Sequence, residues 1–157
     1  MNGNKSKYGS LLLQDSILRK LIYYYGIIQS VHLVALIYAA ILWQTKANIA
    51  LLAPPPTAGW SSQTIYFFLA MGAIDAFNAI LSIIFVKLFI DQNHNCFDLG
   101  LITLSISMYS GIIYIYPILG SGALAQNRMY YFIIAILFFP IIILYMRLLV
   151  KLFKNSS

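Results

Sequence analysis

Charge is what this 157-residue chain has least of: four acidic and ten basic residues make up 9% of it, against the roughly 25% of an ordinary soluble domain. Its hydrophobic share is 61%, more than a soluble core of one domain's length can hide, and large exposed apolar patches do not persist in water. Water is therefore excluded as the main solvent. Cysteine is nearly absent too. Cys96 stands alone, which excludes an internal disulfide and dithiol redox chemistry. The chain also lacks a phosphate-cradling glycine loop, a serine nucleophile elbow, paired metal histidines and a haem attachment motif, so neither a cofactor nor a catalytic residue is assigned.

Four apolar runs stand clear of polar punctuation, at 21–43, 65–90, 99–119 and 130–150. Each reaches the roughly 20 residues that cross a hydrocarbon core of about 30 Å as an α-helix. None alternates apolar with polar residues as a membrane strand would. The expected fold is all-α, a polytopic membrane protein with a four-helix bundle over residues 21–150. It is preceded by a 20-residue N-terminal segment and followed by a short basic tail at 151–157.

The breaks have chemistry of their own. Ala53-Pro54-Pro55-Pro56-Thr57-Ala58-Gly59-Trp60 cannot continue a helix, since its prolines lack donors and fix φ near −65°, and it reads as a stiff extended loop. Asp91 to Asp98 is a polar turn that places Asp98 to cap the third helix. Its residue types invite a metal reading. As a calcium loop, however, it has Cys96 where glycine is required and Ile102 where a bidentate Glu belongs, and one His with one Cys is too few for zinc. No metal site is assigned. Gly120-Ser121-Gly122 ends the third helix, and Pro140 falls within the fourth, where it frees a carbonyl or kinks the helix.

Basic residues set the expected orientation. Lys5, Lys7, Arg19, Lys20, Lys87, Arg147, Lys151 and Lys154 fall on the side of the termini and the second loop, whereas Lys46 and Arg128 fall opposite. Eight against two places both termini on the cytoplasmic side of a plasma membrane or the equivalent side of an organelle inner membrane. Trp43 and Trp60 then mark the outer interface, and Tyr23, Tyr24 and Tyr25 the inner one. The first run is too long for a cleaved signal core. In residues 9–20, Leu13 and Ile17 stand at helical spacing with Leu21, fitting either a short interfacial helix or an extension of the first span. The net charge of +6 flanks apolar spans, which fits anionic lipid headgroups and not nucleic acid.

Polar residues inside the spans are the candidates for function. The second run carries Met71, Asp75, Asn78 and Ser82 on one stripe, and the first carries Tyr25, Gln29 and His32. Counting from the outer ends puts His32 and Asp75 at about 16 and 18 Å, and Gln29 and Asn78 at about 21 and 22 Å. Antiparallel neighbours would make each pair level. Glue between two helices, or a titrating pair able to relay protons, hold a cation or act as acid and base, are the two meanings of such a layer. In the third run, Ser105, Tyr109 and Tyr116 form one polar stripe and Thr103, Ser107, Ser110 and Tyr114 another, so protein is expected on both sides, with Tyr109 a candidate lining residue.

The leading expectation for function is a non-catalytic subunit or scaffold of a membrane assembly, in contact with the bilayer and with other membrane subunits or further copies of itself. The alternatives are a small transporter or proton-coupled carrier using His32 and Asp75, and an intramembrane enzyme acting on a lipid-soluble substrate.

Overall fold

A computed structural model of the chain describes residues 15–44, 53–93 and 95–156, with side chains up to Phe153. Residues 1–14, Lys46 and His94 lie outside the described residues, and with them the first half of the segment at 9–20 expected to form an interfacial helix. Among the described residues the protein is all-helical: α1 (Ser16–Gln44), α2 (Ser62–Ile90), α3 (Cys96–Gly120), the single turn α4 (Ala123–Gln126) and α5 (Arg128–Ser156). Four of these helices are long and apolar enough to cross a membrane, over Ser16–Gln44, Ser62–Ile90, Cys96–Gly120 and Arg128–Phe153. All overrun the apolar runs, because the hydrogen-bond ladder continues into the polar flanks. Residues 16–20 belong to α1 itself, which favours extension of the span at that point.

Polar side chains set the helix starts. The Leu18 amide donates to Asp15 Oδ1 at 3.0 Å, and the Thr64 amide to Ser61 Oγ at 3.2 Å. The third helix corrects an expectation: Asp98 lies inside its first turn, and the capping position is Asn95, whose side chain makes no capping bond. The turn before it is closed instead by Asn93 Oδ1, which accepts the Asn95 amide at 3.0 Å, and the helix starts three residues earlier than a cap at Asp98 requires. At the far end of α3, Gly122 takes φ +75°, a conformation that costs glycine nothing, and reverses the chain into α4.

The long helices form a ring in which α1 packs on α2, α2 on α3, α3 on α5, and α5 back on α1. Both described ends of the chain emerge together, because Asp15 Oδ2 lies 3.4 Å from Arg147 Nη1 and 3.6 Å from Lys151 Nζ. The larger core sits at this end, built from Leu18, Ile22, Phe85, Phe89, Leu104, Ile141, Leu144 and Leu148. A smaller one closes the opposite end, with Ile118, Ala123 and Tyr131 under Trp60, Phe68 and Tyr114. The proline loop is fastened to it: Tyr131 donates to the Pro54 carbonyl at 2.9 Å, Asn127 to the Pro55 carbonyl at 3.1 Å, and the Trp60 indole to the Ala53 carbonyl at 2.8 Å.

One aromatic expectation changes. Three consecutive tyrosines on a helix point about 100° apart, so Tyr23 is exposed, Tyr24 half-buried and Tyr25 completely buried in the core. Trp60 serves the closing cluster, stacked edge-on against Phe68 with ring centroids 5.2 Å apart. Proline is tolerated inside both α3 (Pro117) and α5 (Pro140). In α5 the disturbed stretch gains a donor from outside, since Tyr24 Oη donates to the Leu137 carbonyl at 2.7 Å.

The Asp15 contacts make stability depend on acidity. The Leu18 amide first, then Lys151 and Arg147, hold this carboxyl below its ordinary value of 3.8, against an opposing effect of burial. A depressed value in the folded state means that the contribution is complete above about pH 4 and is lost as pH falls through the folded value. Asp15→Asn keeps a capping side chain and removes the charge. The variant is expected to be about 0.5–1 kcal/mol less stable at pH 7, with the difference shrinking as pH falls below about 4 and gone once the folded carboxyl is protonated, measured by denaturation in detergent micelles across that range. A difference that does not shrink on acidification would contradict the assignment.

Candidate functional site: a polar layer across three helices

The stripes of α1 and α2 face each other, as their spacing requires, and a side chain of α3 joins them. Tyr25 and Gln29 from α1, Asn78 and Ser82 from α2, and Ser107 from α3 are all buried and converge on one point. Each is held by helix geometry: Tyr25 and Gln29 are four residues apart, as are Asn78 and Ser82, so each pair stands on one face.

The direction of every hydrogen bond here follows from the number of protons available. Ser82 Oγ donates its only proton to the Asn78 carbonyl at 2.7 Å. It therefore accepts from Tyr25 Oη, 2.8 Å away. Tyr25, its own proton committed, accepts from Ser107 Oγ at 2.9 Å. Ser107 in turn accepts from Asn78 Nδ2 at 2.9 Å and from Gln29 Nε2 at 3.4 Å. Ser107 is the hub, using its one donor and both acceptor sites. The chain of hydroxyls starts at carboxamides and ends at a backbone carbonyl, groups that do not pass protons on. It is suited to holding three helices in register and not to conduction. One polar atom is left over: Asn78 Oδ1, on a residue only 2% exposed, has no partner among the described residues.

His32 and Asp75 lie one turn further along, beyond Gln29 on α1 and before Asn78 on α2. His32 Nε2 stands 3.8 Å from Asp75 Oδ2, so the two residues are level, close, and too far apart for a good hydrogen bond. Their side chains are 38% and 22% exposed. The pair stands on the same helix faces as the buried layer, nearer the Trp43 end, and is partly exposed. Among the described residues, neither side chain makes a hydrogen bond, and no bond connects the pair to the Ser107 hub.

The expected contribution of Tyr109 is corrected. It is 63% exposed and points away from the layer, because residues 107 and 109 lie about 200° apart on a helix and Ser107 faces inward. Tyr116 of the same stripe is also exposed, and Ser105, exposed too, donates to Tyr145 Oη at 3.2 Å. The other stripe of α3 is the buried one, with Thr103, Ser107 and Ser110. The sequence places Ser107 in one of two polar stripes of this helix without singling it out. A depth count from the other end of the bundle would have found it: Ser107 lies eleven residues after Cys96, Ser82 eight before Ile90 and Tyr25 nine after Ser16, a common depth of about 12–17 Å.

Among the described residues, no three His, Cys, Asp or Glu side chains gather as metal ligands would. No protein-family model, curated protein or solved structure matches this chain.

Proposed function

We propose that this protein is a non-catalytic subunit or scaffold of a membrane assembly, set in the bilayer by its four apolar helices with both termini on the cytoplasmic side. The orientation rests on the eight-to-two distribution of basic residues. Pairing of Arg147 and Lys151 with Asp15 does not weaken it, since acidic residues contribute little to that rule.

The observation that carries the reading is the partial exposure of a mid-span His32 and Asp75. His32 is the seventeenth of 29 residues in α1 and Asp75 the fourteenth of 29 in α2, so both stand at mid-span without full burial. An Asp at that depth costs about 2.5–3.5 kcal/mol on insertion scales, and lipid tails offer it no hydrogen bond. A protein neighbour does. The carrier and enzyme alternatives need a polar route or cavity leading inward from the pair. The nearest polar groups are instead committed to a hydroxyl chain closed at both ends.

Extraction in a mild detergent and identification of what stays bound tests the proposal. Wild type is expected to retain a protein partner in fixed stoichiometry and Asp75→Leu to lose at least nine-tenths of it while keeping its helicity. Retention of a small molecule and no protein would reject the subunit reading in favour of the carrier or the enzyme.

A further inference from the structure

We infer that the bundle holds a cleft beyond its polar layer, open sideways to lipid between α1 and α5, which ends on His32 and Asp75 and binds a lipid-soluble primary amine. The inference goes beyond the subunit reading, since a ligand inside the bundle leaves the outer faces of the helices to a partner.

Three helices leave the space. A step of seven residues, two turns, stays on one helix face and moves about 10 Å along the axis. From Tyr25 in α1 it leads to His32, from Ser82 in α2 to Asp75, and from Ile141 in α5 to Ile134. Tyr25, Ser82 and Ile141 are all buried. The residues two turns nearer the Trp43 end share these inward faces and are nonetheless open: the side chains of His32 and Asp75 are 38% and 22% exposed, and Ile134 is 36% exposed. The bundle is filled at the first level and unfilled at the second. In α5 the gap is widest, because Phe132 to Leu137 are all exposed and six consecutive residues take in every direction around a helix.

The cleft opens between α1 and α5, because the other three seams are closed at this height. Leu36 lies against Gly72, and the rings of Trp43 and Tyr66 meet above it, between α1 and α2. Phe68 and Tyr114 close α2 on α3, while Phe138 against Gly111, and Tyr131 clustered with Ile118, close α3 on α5. Contact of α1 with α5 lies lower down, where Tyr24 bonds the Leu137 carbonyl and Leu18 shares a cluster with Leu144 and Leu148.

An apolar wall and a polar end select the occupant. Ala35, Ile134 and Leu137 offer surface to a hydrocarbon chain. His32 Nε2 and Asp75 Oδ2, 3.8 Å apart, are both within reach of one nitrogen placed about 2.9 Å from each. A primary ammonium has a proton for the carboxylate and another for a neutral imidazole, and it brings the positive charge that a carboxylate in hydrocarbon needs. A hydroxyl has one proton for two acceptors, and a carboxylate is repelled by Asp75. The cleft goes no further, because Gln29 and Asn78 just below are bonded to Ser107, so the ligand is held and not passed on.

Photolabelling tests the site. The purified chain in phosphatidylcholine vesicles is illuminated with dodecylamine carrying a diazirine in its chain, and labelled residues are located by mass spectrometry. Labelling is expected on the peptides that hold Ala35 and Ile134, displaced by dodecylamine and at least tenfold less well by dodecanol or dodecanoate. Asp75→Asn, and Ile134→Trp, which fills the cleft from another helix, are each expected to lower it at least tenfold with helicity kept.

Displacement by dodecanol or dodecanoate as effective as by the amine, or labelling spread evenly over the lipid-facing residues of the four long helices, would overturn the site on wild type alone. Labelling that survives both variants would overturn it as well. Absence of labelling in a chain that retains a protein partner would sink this inference and leave the subunit reading standing, whereas specific labelling of a chain that retains no protein would do the reverse.

Discussion

Ser107→Ala is expected to lower the stability of the bundle by about 2–3 kcal/mol, more than any other loss of a single hydroxyl in the protein. The change removes the acceptor for Asn78 and Gln29 and the donor for Tyr25 in one step. Three contacts at the average of about 0.6 kcal/mol measured for polar pairs between membrane helices give roughly 2 kcal/mol. The value rises above that average because Asn78 already has one unpartnered atom, and losing Ser107 leaves its whole carboxamide without a side-chain partner. Ser105→Ala is the matched control. Its one partner, Tyr145, meets it at an exposed position on the same helix, and the expected cost is below about 0.5 kcal/mol. Unfolding of both variants in mixed micelles, followed by circular dichroism, gives the comparison. Equal losses would show that the hub holds nothing together.

Why the hub went unread, while the levels of the residues around it were read correctly, is a matter of what a one-dimensional pattern contains. Depth along a helix follows from counting residues, since each adds 1.5 Å, and this is how His32 came to be placed beside Asp75 and Gln29 at the level of Asn78. Direction around a helix is fixed only relative to its own other faces. Helix α3 has two polar stripes, and nothing in its sequence says which one looks inward. Ser107 and Tyr109 are equally polar candidates until α2 is placed, after which one is buried and the other exposed. The same limit applies to Tyr25, whose neighbours Tyr23 and Tyr24 make a belt the obvious reading although the helix sends the three rings in different directions. Asp15 was hidden for another reason. Its partners Arg147 and Lys151 lie at the other end of the sequence and come within reach only once the ring of helices closes.

Close packing was even less legible, and the strongest case concerns Gly100. A Cβ placed there would stand 2.6 Å from Cε2 of Phe85 and 3.0 Å from its Cζ, so the ring would have to move. It has nowhere to go: Phe85 is fully buried, and its ring lies against that of Tyr25 with centroids 6.3 Å apart. Gly100→Ala gains about 1 kcal/mol of helix propensity and is still expected to destabilise by about 1–2 kcal/mol, and Gly100→Leu by about 3 kcal/mol. Gly120, at the other end of the same helix, has open space where a Cβ would go, so Gly120→Ala is expected to be neutral or slightly stabilising. Opposite signs for one substitution at two glycines of one helix separate steric contact from propensity. Phe85→Leu removes the obstructing ring edge, so Gly100→Ala should cost at least about 1 kcal/mol less in that background than in wild type. Additivity of the two changes would place the strain elsewhere. Because Phe85 backs Tyr25, and Tyr25 links Ser107 to Ser82, the damage should spread from packing into the polar layer. Combining Gly100→Ala with Ser107→Ala should therefore cost less than the sum of the two, since the first change already weakens what the second removes.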